Sequence, residues 1–486
     1  METMQDVYDV IVIGAGITGS TIFYLLNKYH LKTLIVDKAA DISGGGATKA
    51  NSAIIHSGHD PKPGTLKAKL NVRGNALWHK WVEKLNIPFY PTGAMVVATK
   101  DDRQETIYEL KERADKNGVE AYVITGEEAK RREPHLNPDT TLALVTPTAG
   151  IIHPMRAAIA PVANGIKNGG HMKLLTEVIN ITKDEKDGLI NVHTNRGIFK
   201  TRVVINAAGL FADKIMAMVG EDWFKITPRR GEYIVIDEDA PLRVNTVLFP
   251  TPTPISKGIL VLPTVGMEVM IGPNAENLDK PDTSTTINGL KKVLEGAKKL
   301  VPFDYENWAA ATFAGLRPTG NTGDFYINHS ETMKGVIHVA GIESPGLAAA
   351  PAIAEIVVDM VGELIDLKEK EEWDDTFQFP PYIKFLPEEM RVELTRARED
   401  YGRIVCRCRQ VSEGEIVDVI RLTPGVNDVD AIKRRLGVTG GHCGGSYCLP
   451  KIMEILAREK GILPHRVKKS DDRERSFFVV EGGEKI

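Results

Sequence analysis

The 486-residue sequence predicts an α/β chain: an open parallel sheet flanked by helices, an antiparallel sheet inserted into it, and a small helical domain at the carboxyl end. Three observations carry that expectation. The opening "YDVIVIGAGITGSTIFYLLNKYHLKTLIVDK" reads as strand, glycine turn, amphipathic helix and strand, the start of a parallel sheet. Buried-strand patterns return at 203–215 and 335–361, each running through a glycine turn into a helix, whereas 226–275 holds short β-branched runs broken by Pro and Gly, as antiparallel strands do. All four cysteines fall within 406–448, and the preceding 405 residues contain none.

Composition narrows the function classes. At 42% hydrophobic and 26% charged, the chain is an ordinary globular one with enough length for two to four domains. Lys+Arg at 61 against Asp+Glu at 65 leaves a net charge of -4, which argues against nucleic acid or an anionic membrane as partner; a small anionic substrate must be met locally. The amino terminus, "METMQDVYDV", is acidic where a secretion signal is basic, and runs straight into a strand. The longest apolar stretch, 336–361, is broken by Glu343, two prolines, Glu355 and Asp359, so no spanning helix is expected. The expected location is cytoplasmic, peripheral to a membrane only through a partner subunit. Four cysteines are too few for a disulfide scaffold and suit a reducing compartment, where clustered thiols hold metal; two structural disulfides are the alternative.

The first element carries a nucleotide motif. Gly14 permits the tight turn after the strand, Gly16 lets a pyrophosphate approach the helix amino end, and Gly19 allows the helix to lie close on the strand. Asp37, 18 residues further on at the end of the next strand, is placed to accept from a ribose hydroxyl. The order of these segments resembles the glutathione-reductase-type (Rossmann-like) FAD fold of the D-amino-acid oxidase superfamily over about residues 5–365; that superfamily includes glycerol-3-phosphate dehydrogenases and L-2-hydroxyglutarate oxidases. No second GxGxxG unit follows, so the chain is expected to lack its own nicotinamide site. The resemblance implies an FAD-binding domain from 1–95, 145–222 and 312–365, with a substrate domain from 96–144 and 223–311. The segment 101–135 reads as charged and helical.

By the same resemblance, FAD contacts fall on Gly14, Gly16, Thr18, Gly19, Asp37 and Lys38, then on Ala47, Thr48, Asn51 and Ser52 in "GGATKANSAIIHSGHD". Val178, Ala208, Gly209, Gly315, Gly341, Gly346 and Leu347 complete the set, and His56 lies near the flavin ring. His56 has three readings: a general base for a substrate hydroxyl, a covalent flavin attachment point, or a packing residue. His59, His153 and His329 have no comparable context and read as structural or surface residues. "ATFAGLRPTGNTGD" resembles the superfamily's G-x-R-P element, in which the arginine, here Arg317, grips the substrate's anionic group; a guanidinium fork suits carboxylate and phosphate alike. In "PRRGEY", Arg230 or Tyr233 adds a second substrate contact or is a sheet-edge residue.

After residue 365 the chain becomes charged and is interrupted by Pro380, Pro381 and Pro387, a linker over 366–400 with a helix from about 387. A domain over 401–465 and a tail over 466–486 follow. Cys406 and Cys408 are separated by one residue, Cys443 and Cys448 by four, mostly Gly and Ser. Ser412 and Glu415 form a capping box, and Gly437 is a helix stop. Four thiolates on two loops suit Zn or a [2Fe-2S] cluster, and spacing alone leaves both open. The stretch resembles the bacterioferritin-associated-ferredoxin-like [2Fe-2S] domain, in particular that of the anaerobic glycerol-3-phosphate dehydrogenase family. A cluster moves one electron at a time, so the resemblance implies a dehydrogenase that delivers electrons to a nicotinamide- or quinone-linked redox partner subunit, with the tail as a docking segment or a loosely packed end. The expected substrate is sn-glycerol 3-phosphate. An L-2-hydroxy acid, which "NSAIIHSG" through "PGTLKAKL" resembles more, and an amino acid are the alternatives; a non-catalytic FAD and Fe-S electron carrier is a reading of another class.

Overall fold

The computed structural model describes residues 7–252 and 258–470. They divide into two compact units, one formed by residues up to Lys38 with Gly45–Phe377, the other by Ala39–Gly44 with the chain from Gln378 onward. The residues beyond 470 in the expected tail lie outside the described ones.

In the first unit the strand Val7–Ile13 is the centre of a parallel array. It pairs with Thr33–Val36 on one side, Ile13 opposite Val36, and with Gly197–Asn206 on the other, Ile13 opposite Asn206. Val336–Ala340 joins parallel beyond Gly197–Asn206. Val10, Ile11 and Val12 are completely buried, as a strand covered on both faces requires. These registers bring the carboxyl ends of four strands, and the turns after them, to one edge, where open α/β sheets bind ligands. The helix Gly346–Gly362 follows the fourth strand. Its buried Ala348, Ala349, Ala350 and Ala352 let it approach the helices Ile17–Leu26 and Leu66–Lys84 closely, and Trp78 Nε1 donates to Leu347 O at 2.8 Å.

The second sheet is built on Ile226–Ile236 and Ala309–Gly320, which run antiparallel with Arg229 opposite Arg317 and Tyr233 opposite Phe313. Among the described residues its pairings are antiparallel except Val247–Pro250 against Ala94–Thr99. The 101–135 segment is not wholly helical: between the helices Glu105–Lys116 and Gly126–Arg132, the strand Tyr122–Thr125 pairs with Thr140–Thr146. Its β-branched and aromatic residues gain a sheet partner there, which outweighs the helical pattern around them. Of the stretch 366–400, residues 366–377 belong to the first unit, where Lys370 Nζ donates to Asn27 O and Asn168 O.

The second unit packs the helices Glu413–Arg421, Val429–Leu436 and Leu449–Lys460 around Ile416, Val419, Ile432 and Leu456. The Ser412–Glu415 capping box is formed in both directions, and Gly437 ends the second helix in the left-handed conformation. The segment Ala39–Gly44 is held here by Asp41, whose carboxylate accepts from Arg435 Nη1 and Nη2 at 2.8 and 2.9 Å and from Arg434 Nε at 2.8 Å.

Candidate active site and cysteine cluster

The glycine turn after Val7–Ile13 has the shape a nucleotide needs. Gly14 has φ +105°, and a Cβ there would fall 2.5 Å from Ala207 O; at Gly19 a Cβ would meet Gly14 O at 1.9 Å. Only glycine permits this approach, which lets the start of the helix Ile17–Leu26 lie close on the turn. Ala15 N–H donates to Asp37 Oδ2 at 2.7 Å, tying the acidic end of Thr33–Val36 to the turn. Thr18 is buried in the helix Ile17–Leu26, and Ile17 N–H donates to Thr48 Oγ1 at 2.9 Å, which docks the 47–49 turn against the helix start. Lys38 Nζ sits 3.3 Å from the centre of the Phe211 ring, next to the turn at Ala208 and Gly209. Val178 opens the antiparallel arm of the sheet, and Gly341 ends Val336–Ala340 at φ +66°.

A cavity of about 360 Å³ is lined by residues of both sheets' connecting turns and strands in the first unit, from Ile17 and Thr48 to Tyr233 and Arg317. Ala47, Thr48, Asn51, Ser52, His56, Tyr233, Gly315, Arg317, Gly346 and Leu347 line it; Gly14, Gly16, Thr18, Gly19, Asp37, Lys38, Val178, Ala208, Gly209 and Gly341 are not in its wall. A turn that admits only glycine at Gly14 and Gly19, and a pocket of mixed polarity that Ile17 and Thr48 line at the start of the next helix, fit FAD. Ser52 Oγ and Tyr233 OH are 3.3 Å apart, and Tyr233 stacks on Phe313 at 4.6 Å. Burial pushes the Tyr233 hydroxyl above its ordinary pKa, with Arg317 opposing. Gly315 lets its strand close on the 47–50 turn, since a Cβ there would lie 1.9 Å from Ala50 O. His56 faces the Phe249 ring at 5.9 Å. His153 instead caps the helix Pro154–Lys167, and burial depresses its pKa to about 3.

Arg230, an expected substrate contact, points away from the cavity. Its guanidinium, 6% exposed, donates to Glu276 at 2.6 Å, to Asp282 at 3.2 Å and to Ser284 O at 3.1 Å. Successive strand residues alternate faces, so Arg229 shares the cavity face with Tyr233, and Arg230 shares the other with buried Glu232. Arg229 lies opposite Arg317 and both residues line the cavity; Arg229 Nε donates to Asn277 Oδ1 at 2.8 Å and Arg317 Nη2 to Asn274 O at 3.3 Å. Lys67 and Glu343, which motif reading did not single out, also line the cavity and are ion-paired at 2.8 Å.

In the second unit the four cysteines are free thiols. Cys408 Sγ and Cys443 Sγ are 3.5 Å apart, Cys406 and Cys448 are buried, and Cys448 caps the helix Leu449–Lys460. Hydrogen bonds from the N–H groups of Gly445, Tyr447 and Ser446 hold Cys443 below the ordinary thiol pKa, while burial and the nearby Cys406 push Cys448 up to about 11. Converging thiols fringed by backbone donors suit a thiolate-bound cluster, whose positive irons permit the ionisation that burial opposes.

Comparison with known proteins matches both parts. A family described as FAD dependent oxidoreductase matches residues 9–360, and a BFD-like [2Fe-2S] binding domain matches residues 404–458. The chain belongs to the FAD-dependent oxidoreductase family and carries a carboxyl-terminal BFD-like [2Fe-2S] domain; FAD and the cluster are its cofactors. Among individual relatives, it is 40% identical to a glycerol 3-phosphate dehydrogenase of Caloramator mitchellensis, over 97% of this chain and 98% of that one. The FAD-bound, dithionite-reduced L-alpha-glycerophosphate oxidase of Mycoplasma pneumoniae superposes with TM-score 0.74 at 30% identity, covering 78% of this chain and 100% of that one. An L-2-hydroxyglutarate dehydrogenase of Indibacter alkaliphilus is 33% identical, over 55% of this chain and 68% of that one.

Proposed function

We propose that the protein oxidises sn-glycerol 3-phosphate to dihydroxyacetone phosphate and passes the electrons through its [2Fe-2S] cluster to a separate redox subunit. The observation that carries this reading is the match, over both units, to a glycerol 3-phosphate dehydrogenase; the L-2-hydroxyglutarate relative covers only 55% of the chain. The cavity chemistry supports it. Arg229 and Arg317 present paired forks to a phosphate dianion, and holding that end fixes the carbinol carbon relative to the flavin site. When bound, FAD supplies the two-electron acceptor for the hydride leaving that carbon, and the cluster supplies a one-electron outlet. His56 takes the hydroxyl proton, and the Ser52–Tyr233 pair orders the wall beside it. The recipient is a nicotinamide- or quinone-linked subunit, and the chain works in the cytoplasm, reaching a membrane only through that partner; among the described residues no helix is long and apolar enough to cross one.

Anaerobic stopped-flow spectroscopy of the FAD- and iron-loaded protein tests the proposal. Glycerol 3-phosphate should bleach the flavin and then reduce the cluster more slowly. Bleaching by L-2-hydroxyglutarate alone would reassign the substrate, and a flavin that neither compound reduces would favour an electron carrier.

A further inference from the structure

The two-residue strand Glu276–Asn277 pairs antiparallel with Ile226–Ile236, in a register that sets Arg229 opposite Asn277 and Arg230 opposite Glu276. The adjacent arginines thereby receive acceptors of different kinds. Arg230, on the face away from the cavity, is bound by the carboxylates of Glu276 and Asp282, which offset its charge. Arg229, which lines the cavity, donates from Nε to the uncharged Oδ1 of Asn277, and among the described residues its Nη groups make no hydrogen bond. Arg317 also meets an uncharged acceptor, the carbonyl of Asn274, three residues before Asn277. The third cation lining the cavity, Lys67, is already paired with Glu343.

An amide oxygen orients a guanidinium without offsetting its charge, whereas a carboxylate in the same place does both. We infer that Asn277 is a positioning residue: its side-chain oxygen fixes the Arg229 guanidinium through Nε and, being uncharged, leaves the positive charge and both Nη groups to the anionic end of the substrate. The strand Glu276–Asn277 thus sorts the two arginines, giving a carboxylate to the one on the far face and an amide to the one at the cavity. The inference rests on the glycerol 3-phosphate reading, in which Arg229 and Arg317 hold the phosphate.

Asn277→Asp keeps an acceptor of the same reach and adds one charge at an exposed position. In the anaerobic holoenzyme at low ionic strength, the glycerol 3-phosphate concentration that half-saturates flavin bleaching should rise about fivefold in this variant, while the limiting bleaching rate stays within about twofold of wild type. In an Arg229→Ala background the same substitution should add nothing, because the charge acts through Arg229. Wild-type affinity in Asn277→Asp, or an equal loss with and without Arg229, would overturn the inference. Asn277→Ala, which removes the acceptor, is the second variant should the first not fold; it should weaken binding about threefold, again only where Arg229 is present. An Arg229→Ala variant with wild-type affinity would remove that residue's phosphate contact and the inference with it. Bleaching of the wild type keeps the underlying reading separate: bleaching with an unaffected Asn277→Asp removes only the role of Asn277, whereas a wild-type flavin that glycerol 3-phosphate does not reduce removes the substrate assignment beneath it.

Discussion

Arg317 and Arg229 project from neighbouring antiparallel strands into one wall, and a phosphate held by both makes charge-assisted hydrogen bonds that water matches poorly in a confined cavity. Removing one fork by Arg317→Ala is expected to weaken glycerol 3-phosphate binding by about 2 kcal/mol, roughly 30-fold, with FAD still bound. Anaerobic titration followed at the flavin band measures it, and unchanged affinity would end the assignment. Which arginine of "PRRGEY" reaches the cavity was not legible in the sequence. Two adjacent residues on a strand face opposite ways, and only the register against Ala309–Gly320 decides which way. Lys67 and Glu343, 276 residues apart, belong to no local motif and meet only in the folded structure.

At the scale of elements, the segment Ala39–Gly44 shows how a short loop is recruited by a distant helix. Asp41 and Arg435 are almost wholly buried and joined by two hydrogen bonds, and Arg434 adds a third. Burial acts to raise the Asp41 carboxyl, but the charges and hydrogen bonds of Arg435 and Arg434 prevail and hold it below its ordinary value. A depressed folded-state pKa means the stabilisation is complete above the unfolded carboxylate's value of about 3.9 and is lost as pH falls through the lower folded value. Arg435→Met in the full chain should therefore cost about 3–5 kcal/mol at neutral pH and shrink the acid-induced loss of stability below about pH 4. Denaturant melts at pH 7 and pH 3 measure both effects, and an unaltered pH dependence would contradict this account. The helix caps of the same unit were readable from Ser412, Glu415 and Gly437, because capping is decided within one turn. The strand Tyr122–Thr125 was not, because its partner strand lies outside the segment and a charged helical pattern surrounds it.

For the whole molecule, the two cofactors divide the work: FAD takes a pair of electrons, and the cluster releases them singly. Cys406→Ser, which removes one buried ligand, should abolish the cluster's visible absorption and lower the iron content while substrate still bleaches the flavin at about the wild-type rate. Turnover with a one-electron acceptor should fall by about tenfold or more. Iron analysis with stopped-flow spectroscopy measures both, and full turnover without the cluster would show that electrons leave the flavin directly.

The glycine turn and the presence of a [2Fe-2S] domain could be read without coordinates, because the turn depends on glycines a few residues apart and the domain on cysteine pairs of characteristic local spacing. The composition of the cavity wall could not. Arg229 rather than Arg230, the Lys67–Glu343 pair, and the membership of Ala39–Gly44 in the second unit depend on strand register and on contacts across hundreds of residues. Local spacing carries no information about those contacts, since the packing of whole elements decides which faces meet.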